Sequence, residues 1–306
     1  MEKRRKNRRD NFNKVLTVIA LIVALLLILH DRGIITIPYL SRQNQPIEFV
    51  ADGKAQVHFI DVGQGDCELI ISDDGKTMLI DSGEAEYGAK VVNYIKNLGL
   101  NHLDYLIATH PHSDHMGGLA TVILSDISVG KIIIPKIPEE FVPATRTYEG
   151  FLDAVADKGY KVSAAKTEKF EFGQGTISIF MTDYSEDNLN NYSVVTRYDF
   201  GDSSFLFTGD MEDSVEKKLL IVGHDVNVDV LKVGHHGSNT SSSEEFLKVV
   251  TPDYCVIECG DNSNNHPNSK VVKRLKKYTD IILRTDINGH VVFTTDGNVI
   301  EYITEN

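Results

Sequence analysis

Cysteine is scarce. The 306 residues contain three, Cys67, Cys255 and Cys259. That is too few, and odd in number, for a disulfide scaffold. Cys255 and Cys259 sit in Tyr-Cys-Val-Ile-Glu-Cys, a buried-strand pattern, so they read as small apolar residues and mark no redox compartment. Repeats of solenoid length are absent. Positive charge is in deficit: 31 Lys and Arg stand against 44 Asp and Glu, a formal net of −13. Such a balance argues against a surface that coats nucleic acid. Apolar residues at 42% and charged residues at 25% match globular averages, which excludes wholesale disorder, collagen and coiled coil.

What is present is unevenly distributed. Residues 1–14 hold seven basic and two acidic side chains, a net of +5, which leaves 24 against 42, or −18, for residues 15–306. Val15 to Leu29 then runs without a charge. At about 1.5 Å per residue it falls short of a ~30 Å hydrocarbon core. His30-Asp31-Arg32-Gly33 offers no small-x-small cleavage site and no cysteine for lipid attachment. We therefore read residues 15–32 as an uncleaved transmembrane signal anchor, with Lys14 and Arg32 snorkelling. The positive-inside rule places the 1–14 stub in the cytoplasm and the rest outside. A cleaved signal peptide would give the same side. Residues 33–54 read as a linker, and 55–306 as one domain.

From Ala55 onward, short strands alternate with helical stretches. Strands are expected at Gln56–Asp61, Cys67–Ser72, Thr77–Ile80, Leu103–Thr109 and Ile132–Ile134, with helices at Tyr87–Leu98, Met116–Leu124 and Thr147–Lys158. A second set follows from Lys169 to Ile303, with helices at Asp213–Val222, Ser243–Val250 and Ser269–Tyr278. Two β-rich halves with interleaved helices predict an α/β fold, two sheets face to face with helices outside, in four layers.

The densest chemistry lies at Thr109-His110-Pro111-His112-Ser113-Asp114-His115. Four metal-competent side chains fall within six residues at the end of a buried strand. His110 and His112 are two apart in an extended segment, so their rings point one way. Asp114 and His115, on the turn into a helix, face a second position. One loop can thus begin two adjacent sites for divalent ions, with other ligands supplied from elsewhere. Paired ions suit hydrolysis, because a bridging hydroxide attacks while both ions bind the developing charge. A closed structural zinc site would favour cysteine, and none is nearby.

The His-Pro-His-Ser-Asp-His run resembles the HxHxDH motif of the metallo-β-lactamase superfamily. Leu79-Ile80-Asp81-Ser82-Gly83, Leu206-Phe207-Thr208-Gly209-Asp210 and Leu231-Lys232-Val233-Gly234-His235-His236-Gly237-Ser238 resemble its later motifs, in order. The resemblance implies the four-layer αββα sandwich of that superfamily and two divalent ions, Zn²⁺ or Mn²⁺. His110 and His112 would bind the first ion, Asp114, His115 and His235 the second, and Asp210 both. The superfamily's usual third histidine for the first ion is missing, since no histidine occurs from Met116 to Gly223. Asn190-Asn191-Tyr192-Ser193 stands there instead. With Phe59-Ile60-Asp61-Val62-Gly63-Gln64-Gly65-Asp66, it is similar to the domain of ComEC-type DNA-uptake proteins. An amide oxygen of Asn190 or Asn191 would then complete an oxygen-richer site that favours Mn²⁺ more than histidines alone would.

Several neighbours carry expectations of their own. Asp81, Asp61 and Asp66 are placed as hydrogen-bond partners behind ligand histidines, although Asp61 and Asp66 also suit a turn. His236, next to a ligand on a strand, is expected to face away. His266 is assigned to substrate phosphate contact or proton donation to the leaving group, and Asn191, Ser193 and Lys270 to substrate binding. Lys270 opens a basic helix with Lys273, Arg274, Lys276 and Lys277, the densest positive patch in the acidic part.

The function these residues and the resemblance together imply is a membrane-anchored, extracytoplasmic phosphodiesterase or nuclease acting on DNA or RNA, with Asp114, Asp210 and His266 catalytic. A hydrolase of a small phosphodiester, or of another ester or lactone, is one alternative. An anchored, non-catalytic domain that binds nucleic acid or a protein partner is another.

Overall fold

The computed structural model describes residues 53–306 apart from 183 and 185. The basic stub, the anchor at 15–32 and all but the last two residues of the linker lie outside the described residues. Among the described residues, no helix is long and apolar enough to cross a membrane.

Two mixed sheets form the frame. The first has β1 (Ala55–Phe59), β2 (Glu68–Ile71), β3 (Thr77–Ile80), β4 (His102–Ile107), β5 (Ser128–Ile134) and β6 (Val162–Ala164), in that spatial order. The second has β7 (Glu168–Phe172), β8 (Gly175–Phe180), β9 (Val195–Phe200), β10 (Ser203–Phe207), β11 (Val230–Lys232), β12 (Tyr254–Ile257) and β13 (Ile281–Arg284), again in order. Short turns give antiparallel pairs, as between β7 and β8. Helical crossovers give parallel ones, as from β3 to β4 through Gly88–Asn97 and from β10 to β11 through Asp213–Val222.

Alternation of side chains along these strands sorts the apolar residues into three cores. Val57, Ile70, Met78 and Ile133 of the first sheet meet Ile177, Tyr198, Phe205 and Val256 of the second. On the first sheet's other face, Leu79, Leu106 and Ile132 pack under Val91, Leu119 and Phe151 from helices. On the second sheet's other face, Leu206, Leu231 and Cys255 pack under Leu219, Phe246 and Leu275. The layers therefore run helix, sheet, sheet, helix. Each fully buried leucine or phenylalanine contributes roughly 1.5–3 kcal/mol. All three cysteines are free and buried.

The division into two sequential halves fails at the C-terminus. β14 (Val291–Thr295) and β15 (Ile300–Thr304) return to the first sheet, with Ala55 opposite Thr295. β6 was not expected: it is three residues long and partly exposed at a sheet edge, too short to show a period. The helix read over Met116–Leu124 is two, Ser113–Met116 and Leu119–Leu124, broken at Gly117-Gly118.

Candidate metal centre

After β4 the chain bends at His110 and Pro111 and is extended again at His112, whose φ and ψ are −75° and 152°. The rings of His110 and His112 meet there, with Nε2 of the first 3.1 Å from Nδ1 of the second. The helix that begins at Ser113 turns the chain, so Asp114 and His115 reach a second position. There Asp114 Oδ2 lies 3.2 Å from His236 Nε2, and His115 Nε2 lies 3.3 Å from the same nitrogen.

Asp210, at the end of β10, stands between the two groups. Its Oδ1 is 3.2 Å from His115 Nε2 and 3.5 Å from His236 Nε2. Its Oδ2 is 3.8 Å from His110 Nε2 and 3.6 Å from His235 Nε2. Each carboxylate oxygen thus faces two imidazoles.

The side chains behind these rings set which nitrogen points inward. His115 Nδ1 is 2.8 Å from Asp81 Oδ2. His236 Nδ1 is 3.0 Å from the Glu258 carbonyl. His110 Nδ1 is 3.1 Å from Thr109 Oγ1, and His235 Nδ1 is 3.3 Å from Thr240 Oγ1. Nε2 of all four is left for the interior. Asp81 also accepts from the Thr109 N–H at 2.8 Å, which ties it to the histidine loop.

The arrangement fits divalent cations. Asp210 Oδ1 is buried without a hydrogen-bond partner, and facing nitrogen lone pairs repel unless a proton or a cation lies between them. The donors are oxygen and imidazole nitrogen without sulfur, a set that suits Zn²⁺ or Mn²⁺.

His235 and His236 depart from the sequence-based expectation. β11 ends at Lys232, so strand alternation does not apply beyond it. Both histidines are left-handed, with φ of 52° and 51°, which sends both rings to the same centre. His236, expected to face away, is buried against Asp114 and Asp210. His235, expected beside Asp114, lies on the Oδ2 side with His110. A third imidazole therefore approaches the side of Asp210 where the sequence lacks one.

A buried polar layer beneath the histidines was not read from the sequence. Lys232 is fully buried and 2.6 Å from Asp66 Oδ2, while Asp66 Oδ1 is 3.2 Å from His236 Nδ1. Burial opposes ionisation of Asp66, yet Lys232, His115 and His236 hold its carboxyl down to about 2. Glu68 and Glu258 lie beside it. Burial, then Asp66, pushes Glu258 up to about 8. The one available sequence signal was a lysine inside the apolar strand Val230-Leu231-Lys232-Val233.

Other assignments divide. Asp61 accepts from the Gly63 N–H at 3.0 Å and pairs with Lys90 at 3.3 Å, so its carboxylate shapes the turn, while its N–H donates to Nδ1 of His290, outside the centre, at 2.9 Å. Ser193, expected at the substrate, is buried; its Oγ accepts the Asp210 N–H at 3.0 Å and positions that carboxylate. Asn191 spends its amide on Tyr184 Oη, at 2.6 Å, and on the Glu212 N–H, at 2.9 Å. Asn190 Oδ1, by contrast, is buried without a partner. His266 reaches the centre, its ring 5.4 Å from that of His235. Lys270 is exposed at the start of the helix Ser269–Leu275. Of the basic residues after it, Lys277 pairs with Glu244 and Arg274 bonds the Ser241 and Ser242 carbonyls.

Gly65 shows how tightly the first loop packs here. At φ 145°, an added Cβ would lie 2.2 Å from the Asp114 carbonyl oxygen, which accepts the Asp66 N–H. Gly65→Ala should destabilise the fold by about 2 kcal/mol or more, read as a lower urea midpoint; an unchanged midpoint would contradict this packing.

Protonation follows from the same contacts. Burial, then His115, keeps His110 and His112 below the ordinary imidazole range. Burial also opposes charge on His115 and His236, but Asp210, Asp66 and Asp114 outweigh it, raising His115 well above its usual value and His236 to about 10. In metal-free protein these imidazoliums stand in for the cations. A raised folded-state pKa contributes stability that is complete below the unfolded value, about 6.5, and is lost as pH rises through the folded one. The melting temperature of EDTA-treated protein should therefore fall from pH 7 to pH 10, and bound metal should flatten that fall. A flat metal-free profile would contradict it.

Comparison with known proteins agrees with this geometry. Residues 60–260 match the metallo-beta-lactamase superfamily. The chain is 30% identical over 260 residues to ComE operon protein 3 of Bacillus subtilis (strain 168), covering 78% of this chain and 33% of that protein. It is 31% identical over 251 residues to competence protein ComA of Neisseria gonorrhoeae, covering 80% and 33%. These relatives are ComEC-type competence proteins, and the chain spans about a third of their length. Among solved structures, the diiron beta-hydroxylase CmlA from Streptomyces venezuelae superposes with a TM-score of 0.51 at 17% identity, covering 79% of this chain and 54% of that one. At that identity the likeness is one of fold.

Proposed function

We propose that this chain, which belongs to the metallo-β-lactamase superfamily, is a metal-dependent phosphodiesterase acting on nucleic acid. We assign it to the outer face of a cell membrane, held there by residues 15–32. The observation that carries the catalytic reading is the Asp210 carboxylate, with two imidazoles at each oxygen. His110, His112 and Asp210 would hold one ion, and Asp114, His115, His236 and Asp210 the other. Two such ions supply a nucleophilic water at neutral pH and Lewis acidity for the phosphoryl oxygens.

The protein's own groups do the rest. Asp81, Thr109 and the Glu258 carbonyl lock the ring orientations, and Ser193 fixes Asp210 from behind. Burial, then His235, keeps the His266 imidazole below its usual pKa. A neutral ring at neutral pH favours hydrogen bonding to a phosphate oxygen over delivery of a proton. That the relatives are competence proteins supports DNA as substrate over a small diester.

The test is a substrate panel with the full chain in detergent micelles: single- and double-stranded DNA, RNA, and bis(p-nitrophenyl) phosphate, with Mn²⁺ or Zn²⁺. Cleavage of nucleic acid that EDTA stops and Asp114→Ala abolishes is expected. Turnover of the small diester with no nucleic acid cut would overturn the substrate assignment.

A further inference from the structure

The edge of the sandwich that carries the metal centre extends sideways. The centre lies where β4 of one sheet and β10 of the other end. Beyond β4 come β5 and β6, and beyond β10 come β9 and β8. At the ends of those outer strands lies a groove of about 690 Å³. Lys136 follows β5, Lys166 follows β6, Met181 and Tyr184 follow β8, and Tyr192 precedes β9; all five line it. Neighbouring strands are about 4.8 Å apart. The groove therefore begins one to two strand spacings from the strands that end at the centre, roughly 5–10 Å, within reach of the nucleotides next to a phosphodiester held there.

A chain of contacts joins the two places. Tyr184 Oη accepts from Asn191 Nδ2 at 2.6 Å. Asn191 belongs to the same turn, Leu189–Tyr192, as Tyr192. Ser193, next in sequence, accepts the Asp210 N–H. One short segment thus carries both the groove wall and the support of the shared carboxylate.

The lining is mixed in a way that suits a repeating base-and-phosphate polymer. Tyr184 and Tyr192 meet edge to face at 5.4 Å, and Lys218 Nζ lies 4.5 Å over the Tyr184 ring. Glu168, at this edge, pairs with both Lys131 and Lys166, each at 3.3 Å, so that corner keeps an excess positive charge. Lys136 makes no ion pair with a described carboxylate. Of the nearby acids, Glu186 engages Tyr184 Oη at 3.2 Å, while burial, then Glu140, Glu186 and Asp187, oppose ionisation of the Tyr192 hydroxyl. Lysines beside aromatic rings are the means by which proteins hold single strands.

We infer that this groove binds the single-stranded nucleic-acid segment flanking the scissile phosphodiester, with Lys136 and Lys166 at phosphates and Tyr184 against a base. The inference rests on the phosphodiesterase reading above and adds to it a binding site for the strand.

Fluorescence anisotropy of the full chain in detergent micelles tests it, with labelled thymidylate twelve-mers and dimers in EDTA so that no cleavage occurs. The unsubstituted chain should prefer the twelve-mer. Lys136→Glu with Lys166→Glu should erase that preference and lower the slope of log affinity against log salt by roughly 0.7 for each lysine. Tyr184→Leu should weaken twelve-mer binding by about fivefold or more, and Tyr184→Phe, which keeps the ring, should restore it. A length preference that survives the double lysine variant would overturn the inference and leave the groove to another ligand, as would undetectable twelve-mer binding by the unsubstituted chain. Turnover of bis(p-nitrophenyl) phosphate by metal-loaded, unsubstituted protein is read separately. If it proceeds while the binding result fails, only the groove assignment falls.

Discussion

Asp210→Ala should lower kcat/KM for phosphodiester hydrolysis by at least about a thousandfold and reduce bound metal from two equivalents to one or none. The reason is that, among the described residues, Asp210 is the carboxylate whose two oxygens face both groups of imidazoles. Oδ1 faces His115 and His236, and Oδ2 faces His110 and His235. Removing the carboxylate separates the two metal positions and deletes an anion that sustains positive charge on His115 and His236. Asp210→Asn keeps the shape but drops the charge, so it should retain more metal than alanine while remaining far below the unsubstituted enzyme. Metal analysis by mass spectrometry beside steady-state kinetics reads both effects. Two retained equivalents with activity within tenfold of normal would mean that the carboxylate does not bridge.

The second large effect separates two adjacent histidines. His236→Ala should cost about a hundredfold to a thousandfold in kcat/KM and lose one metal equivalent, because this ring meets Asp114, His115 and Asp210 and is buried with Asp66. His235→Ala should cost roughly tenfold, a figure of the size seen for outer supports of metal sites. His235 is partly exposed, has Thr240 and Glu212 on its far side, and approaches Asp210 at 3.6 Å. The reverse order of effects would restore the strand-alternation reading, in which His235 serves the site beside Asp114.

That pair also marks where reading the sequence stops. The His110 to His115 loop was legible because its four metal-competent side chains lie within six residues and a helix start has known side-chain directions, which the structure uses at Ser113. Asp81 was legible as the partner of a loop histidine. The Gly234-His235-His236-Gly237 turn was not, because two consecutive non-glycine residues in the left-handed region are costly for L-residues and are not expected without the surrounding contacts. Ser193 was misread for a related reason: its distance from Asp210 in sequence hides a bond between loops. The buried group of Lys232, Asp66, Glu68 and Glu258 is invisible to periodicity, since charged residues in strands normally mark a solvent face. For the fold, strands and helices with strong periods were placed within a few residues, whereas the return of β14 and β15 to the first sheet is a matter of long-range pairing.

The acidic balance of the chain takes on a local meaning at the centre. Asp66, Asp81, Asp114 and Asp210 surround the histidines, and they concentrate negative charge where divalent cations belong. On the proposed reading, acidity there would serve metal binding, and nucleic acid would be engaged through the ions and nearby lysines.

The most direct measurement is phosphodiester hydrolysis against metal equivalents added to EDTA-stripped protein. Activity should rise until two equivalents are bound per chain and then level off, with nucleic acid and bis(p-nitrophenyl) phosphate both cleaved. Two equivalents bound with neither substrate cleaved would contradict the assignment of this centre to phosphodiester chemistry.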